Sequence, residues 1–219
     1  MKYLFLFIAA FCILSEAAAQ TKKNDSKPGF GIRAGINFQN INGRDAFDDK
    51  LENKLVARFH AGLTAELLLA DDFYIQPGLL FSTKGAKLKG SNNVVTISYI
   101  EVPVNFLYKP QLGNGRLLLG FGPYIGFGVG GKIKYENGND ASLEFKNEIS
   151  VGEALAGNYL RRFDAGANIL FGYELSSNLS VQLNTQWGLA NIYPSISGVS
   201  NSNIINKNTG FGLSLGYKF

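Results

Sequence analysis

Large apolar residues alternate with small or polar ones along the C-terminal segment Thr209-Gly-Phe-Gly-Leu-Ser-Leu-Gly-Tyr-Lys-Phe219. In a strand this alternation puts Phe211, Leu213, Leu215, Tyr217 and Phe219 on one face. The opposite face receives Gly210, Gly212, Ser214, Gly216 and Lys218. The same period of two recurs across residues 30–39, 58–69, 73–84, 95–109, 116–130, 162–175 and 179–190, which makes eight predicted strands with the last. Repeated alternation in segments of about ten residues is the signature of a membrane barrel, weak in one strand and persuasive over eight.

The connections alternate too. Short turns are predicted after strands two, four and six, around 70–72, 110–115 and 176–178. Longer loops follow strands one, three, five and seven, at 40–57, 85–94, 131–161 and 191–208. Turns at one end and loops at the other suit an outer-membrane barrel with both termini in the periplasm. The predicted fold class is therefore all-β, an eight-stranded antiparallel transmembrane β-barrel with short periplasmic turns and longer extracellular loops.

A soluble barrel carries the same alternation turned inside out, so the wet face has to be decided separately. A soluble exterior should be rich in Lys and Glu, whereas the polar faces here are rich in glycine, which suits a crowded eight-stranded interior. Aromatics on the apolar face gather at two levels. The pairs Phe30/Phe38, Phe73/Phe81 and Phe211/Phe219 each lie eight residues apart. That spacing is about 26 Å along a strand and about 20 Å vertically once the strand tilts. The apolar face is expected to meet lipid.

The N-terminus reads as an export signal: Lys2, an apolar stretch over 3–14, then Ala17-Ala18-Ala19, with cleavage expected after Ala19. A lipoprotein signal using Cys12 is disfavoured by bulky Phe11 before it. The domains expected are a signal peptide at 1–19, a periplasmic leader at 20–29 and the barrel at 30–219. These features place the chain in the outer membrane of a Gram-negative bacterium, exported through the Sec pathway. Cys12 is the only cysteine and leaves with the signal, which excludes disulfides, zinc thiolates and cysteine nucleophiles. The net charge of +4 is spread thinly, with no basic helix, so no nucleic-acid partner is expected. The uncharged stretch 117–131 holds six glycines and Pro123, a poor helix but an acceptable barrel strand.

At Tyr99-Ile-Glu-Val-Pro-Val-Asn-Phe-Leu-Tyr108 and Gly120-Phe-Gly-Pro-Tyr-Ile-Gly126 the chain resembles the PorT-like outer-membrane β-barrel family. Phe163-Asp-Ala-Gly-Ala-Asn-Ile-Leu-Phe-Gly-Tyr-Glu-Leu175 and the aromatic C-terminus resemble it as well. The resemblance implies an eight-stranded barrel with an export signal. The family's named member belongs to a protein-secretion apparatus, while most members have no assigned role.

Inward parity assigns a candidate polar network to the lumen: Arg33, His60, Glu66, Glu101, Arg116, Arg162, Asp164 and Glu174. Both signs are present, so pairing can offset desolvation. Glu101 with Arg33 or Arg162 is one expected pairing. The set reads as a plug of paired side chains rather than an ion-selective pore, because eight strands leave little room for water. His60 is the only histidine. A lipid-modifying enzyme would need it beside a serine and an orienting carboxylate, and no acyl-transfer motif accompanies it. No enzyme, cofactor or metal site is expected, since one histidine without thiolates makes a poor metal cage.

The glycine run at 126–131 fails the spacing of a phosphate loop. Lys84, Lys87 and Lys89 are expected at the loop rim, either solvated or against lipopolysaccharide phosphates. The stretch 143–160 carries Phe145, Ile149, Val151, Leu155 and Tyr159 and is expected to form a short helix or a strand extension. Long loops on rigid barrels usually carry the binding, so this stretch and residues 41–57 are where recognition is expected. Expected partners are outer-membrane lipid and lipopolysaccharide, with the barrel-assembly machinery meeting the strand that ends at Phe219. A structural or surface-interaction monomer follows; the rivals are an enzyme using His60, a small pore, and an accessory to secretion.

Overall fold

A computed structural model describes residues 28–156, 158–199 and 204–219. The expected signal at 1–19 and most of the leader lie outside the described residues. Eight long strands form one closed antiparallel sheet. They are β1 (Gly29–Arg44), β2 (Val56–Ala70), β3 (Phe73–Lys87), β4 (Val94–Tyr108), β5 (Gly115–Lys134), β6 (Phe163–Glu174), β7 (Leu179–Gly188) and β8 (Ile205–Lys218). Each strand pairs with its sequence neighbour. β8 closes on β1 from Gly31↔Lys218 to Arg44↔Ile205, and the amide of Phe219 donates to the Phe30 carbonyl at 2.8 Å. Closure removes every free edge, the condition for strands to cross lipid.

The turns use residues that tolerate a left-handed backbone. Asp72 (φ 63) turns β2 into β3, Asn178 (φ 64) turns β6 into β7, and Gly113 (φ 60) sits in the turn before β5. The faces fall as the alternation predicts. Phe121 on β5 is 64% exposed and Leu63 on β2 is 59% exposed, while Tyr124 and Leu80 between such positions are buried. Aromatic rings on the outer face meet across strands: Phe38 and Phe211 stack at 5.3 Å between centroids, and Phe73 and Tyr108 at 4.8 Å.

The strands run further toward the loops than expected. β1 continues to Arg44, β3 to Lys87 and β5 to Lys134, so the loops shrink to 45–55, 88–93, 135–162 and 189–204. The cause lies in the inner face, which changes character at this level. Ile41, Ala86, Val95, Ile97 and Tyr99 point inward there and bury one another, together with Leu143 and Leu160 of the third loop and Ile192 of the fourth. Above the lipid the barrel thus holds an apolar core of the soluble kind.

The β2–β3 seam of the wall is interrupted toward the loops. The β2–β3 ladder ends at His60↔Ser82 and resumes only at a Lys54↔Lys87 bridge. Thr83 fills the break, its Oγ1 accepting from the Phe59 amide and donating to the Phe59 carbonyl, both at 3.0 Å. Arg58 spans β3 and donates to the Val95 carbonyl at 3.1 Å and to Thr96 Oγ1 at 2.8 Å on β4. Gly85 is the ladder partner of Thr96, and an added Cβ there would stand 2.0 Å from the Val95 carbonyl oxygen.

Candidate functional site: the polar lumen and its cap

From the turn end upward, the lumen begins as a vestibule of about 390 Å³ lined by Tyr74, Arg116, Glu174, Asn178 and Lys218, among others. It narrows to about 20 Å³ beside Arg33, Glu66 and Gln182. That is room for about one water molecule. The constriction is made by four charges of alternating sign. Lys109 Nζ donates to Glu66 Oε2 and to Glu174 Oε2, each at 2.7 Å, and Lys218 Nζ donates to Glu174 Oε1 at 2.9 Å. Lys109 also sits 5.1 Å from the centre of the Tyr74 ring. Arg116 stands outside this quartet and donates to the Tyr74 hydroxyl at 2.8 Å.

Midway up, His60 joins strands from both sides of the β1–β8 closure. Its Nδ1 lies 2.6 Å from Asn37 Oδ1 and its Nε2 lies 2.9 Å from Ser214 Oγ. Ser214 Oγ in turn donates to Asn184 Oδ1 at 3.0 Å. Gly35 admits the ring, for a Cβ there would meet His60 Cε1 at 2.6 Å. A serine, a histidine and an orienting amide stand here in the order of an acyl-transfer relay. Yet Ser214 is 1% exposed and His60 4%, and both ring nitrogens are taken by neighbours. The arrangement is a brace between strands.

Above it lies the tightest cluster. Lys84 is wholly enclosed and pairs with Glu101 and with Asp164, the latter at 3.1 Å. Its ammonium also lies 4.2 Å from the centre of the Tyr124 ring, a cation–π contact that dehydration strengthens. Asn208 Nδ2 donates to Asp164 Oδ2 at 2.9 Å and to the Tyr99 hydroxyl at 3.3 Å. Directly above begins the apolar cap of Ile97, Leu143 and Leu160. Glycines of β5 seat it: a Cβ at Gly128 would meet the Phe145 ring at 2.6 Å, and one at Gly131 would meet Leu143 Cβ at 3.2 Å. The 126–131 run is therefore a seat for the third loop.

Of the eight candidates, Arg33, His60, Glu66, Glu101, Asp164 and Glu174 line the lumen, and Arg116 stands at its mouth. Arg33 reaches Gln182 Oε1 at 3.5 Å, not Glu101. Arg162 departs from the expectation. It is exposed, with its guanidinium 5.3 Å from the Phe127 ring centre and 5.1 Å from that of Phe145. The chain bends there before β6 begins, so inward parity starts only at Asp164.

The partners that complete the network, Lys84, Lys109 and Lys218, were not among the candidates. Lys84 is a correction, since it faces the axis rather than the rim. Parity with Ser82 carries that signal once β3 is continued past residue 84. Lys87 stays on the outer wall, and Lys89 pairs with Glu52.

The third and fourth loops form one unit over the cap. Residues Glu148–Ile149 pair in parallel with Ser195–Ile196, and Glu144–Phe145 pair with Tyr159–Leu160. Between them runs a short helix, α1 (Val151–Ala156), started by a reciprocal cap. Glu153 Oε2 accepts from the Ser150 amide at 2.8 Å, while the Glu153 amide donates to Ser150 Oγ at 3.3 Å. The Lys146 ammonium, followed by the Ser150 amide and hydroxyl, holds the Glu153 carboxyl down at about 2.

The sequence model of the outer membrane protein beta-barrel domain matches residues 18–194. No curated protein matches the sequence. Among solved structures, a major outer membrane protein from Thermus thermophilus is similar at 16% identity and a TM-score of 0.47, over 89% of this chain and 100% of that one. Outer Membrane Protein W of E. coli is similar at 13% identity and a TM-score of 0.44, over 90% and 100%. Ail, the attachment invasion locus protein of Yersinia pestis, is similar in its complex with sucrose octasulfate at 13% identity and a TM-score of 0.43, over 89% and 100%.

Proposed function

We propose, for a chain that belongs to the outer membrane protein beta-barrel domain family, a closed scaffold that acts through its loop end rather than by conduction or catalysis. The observation that carries this reading is the double obstruction of the lumen. Lys84, Glu101 and Asp164 fill the axis, and the Leu143–Leu160–Ile192 cap lies over them. Solute transport would need both to move. An acyl-transfer role for His60 would need a path that its enclosed neighbours do not offer.

In this reading the turns lie in the periplasm and the loops outside the cell. Export by Sec, assembly through the strand ending at Phe219, and a monomeric state belong to the same proposal, as does the finer PorT-like affinity. That affinity is supported by Tyr99, Glu101 and Tyr124, which its motifs place in the lumen cluster. Binding falls to the joined third and fourth loops and to residues 45–55, where Leu155 and Phe47 are each 87% exposed.

Photo-crosslinking residues placed at Leu155 and Phe47 in intact cells test this. Discrete adducts from these two sites are expected. Adducts arising only from a turn-end site such as Leu112 would overturn the assignment.

A further inference from the structure

The outer wall of β3, β4 and β5 carries cations in two neighbouring rows just above the aromatic belt. In the upper row Lys87 stands opposite Val94, which stands opposite Lys134, and Lys54 bridges Lys87 from the other side. In the lower row Thr96 stands between Lys132, its ladder partner, and the Arg58 guanidinium that donates to it. Ladder partners share a face, so Lys87, Lys132 and Lys134 all project on the lipid-facing side, outside the lumen. Lys87 and Lys134 are two strand spacings apart, about 9.5 Å.

The neutralising acids are few. Asp140 accepts from Lys132 at 2.7 Å and is the ladder partner of Lys134. Glu52 is taken by Lys89, and Glu136 accepts from Asn92 at the tip of the hairpin. Lys54 and Lys87 thus face each other directly across the seam, an arrangement that disfavours the folded wall unless an anion lies between them. Below the rows the same face turns apolar at once, through Ile100, the tilted Phe59–Phe81 pair at 5.8 Å, and Phe127. On the opposite wall the corresponding levels hold Asn40, Thr209, Asn42 and Lys207, and above them Arg44, which bridges to Lys50 and pairs with Asp48 at 2.7 Å.

A cationic band above an acyl-compatible wall fits an amphiphile with phosphates at its head. We propose that the β3–β5 face is a binding site for a phosphorylated glycolipid of the outer leaflet, its phosphates held by Lys87, Lys132 and Lys134. The acyl chains lie along Ile100, Phe81 and Phe127.

Native mass spectrometry of the mature barrel in detergent, titrated with bisphosphorylated lipid A and with the same lipid enzymatically dephosphorylated, tests the site. The phosphorylated form should bind at least tenfold more tightly. The K87Q/K132Q/K134Q variant should lose that preference, and K207Q should keep it. Heat-modifiable migration in SDS gels reports whether each variant folds, and K134Q alone, the mildest change, should still cost several-fold. Equal affinity for the two lipids, or an undiminished preference in the triple variant or in K134Q, overturns the proposal. So does displacement of the lipid by equimolar inorganic phosphate, which would make the patch a site for free anions.

Discussion

The lower and upper halves of this barrel solve opposite problems with one wall. Where lipid lies outside, the outer face is Phe, Leu and Ile, and the inner face is mostly Lys, Glu, Asp and Asn, with one apolar cluster of Leu107, Leu118 and Leu170 among them. Where water lies outside, the outer face carries Lys132 and Lys134, and the inner face carries Ile97, Val95 and Leu143. Above the vestibule the interior is enclosed in both halves, so its contents are fixed by what completes them. The acids inside are matched by lysines, as Glu101 and Asp164 are by Lys84, while Arg33 has only the side-chain amide of Gln182 at 3.5 Å. The comparison teaches that the solvent sets the outer face, while the need for mutual satisfaction sets the inner one.

Breaking the polar half should have the largest effect. Lys84→Met leaves two carboxylates enclosed without a counter-ion, and should cost about 3–5 kcal/mol in urea unfolding from lipid vesicles. The triple change K84M/E101Q/D164N should recover much of that, because no net charge then stays buried. A triple variant as unstable as the single one would mean that size, not charge, governs the cluster.

In the apolar half, Ile97→Ala should cost about 2–4 kcal/mol by removing a fully buried side chain from the cap. Its cost should not depend on pH. Gly128→Val, which displaces the Phe145 ring, should cost about 1–3 kcal/mol and loosen the third loop before it loosens the strands, as hydrogen exchange would report.

The smallest effect belongs to the cap of α1. Ser150→Ala should cost about 1 kcal/mol of local stability. The same cap has a pH dependence of definite sign. Glu153 is held at about 2 in the folded loop against 4.5 without its partners. Its contribution is therefore complete above about 4.5 and is lost as the pH falls through 2. Amide exchange of residues 150–156, corrected for intrinsic rates, should accelerate over that window and not above it.

Strand number, facing and the order of turns and loops were all legible, because alternation with period two survives in every segment. The strand ends toward the loops were not. Past Gln39 and Lys84 the inner face changes from polar to apolar, so the pattern inverts while the β1–β8 and β3–β4 ladders run on. Lys84 was lost for the same reason, since its strand looked finished where it was only leaving the membrane. Lys109 and Lys218 carried inward parity, but one sequence does not say which charge across the lumen each will meet. Arg162 shows the converse. Parity counted back from Asp164 put it inside, and a bend before β6 turned it out against Phe127.

Single-channel recording of the purified mature barrel in a planar bilayer tests the closed lumen most directly. A closed lumen gives no stepwise current in the unaltered protein at moderate voltage, and steps only when Lys84 and the cap residues Leu143 and Leu160 are replaced together by alanine. Steady unitary conductance from the unaltered barrel would contradict it.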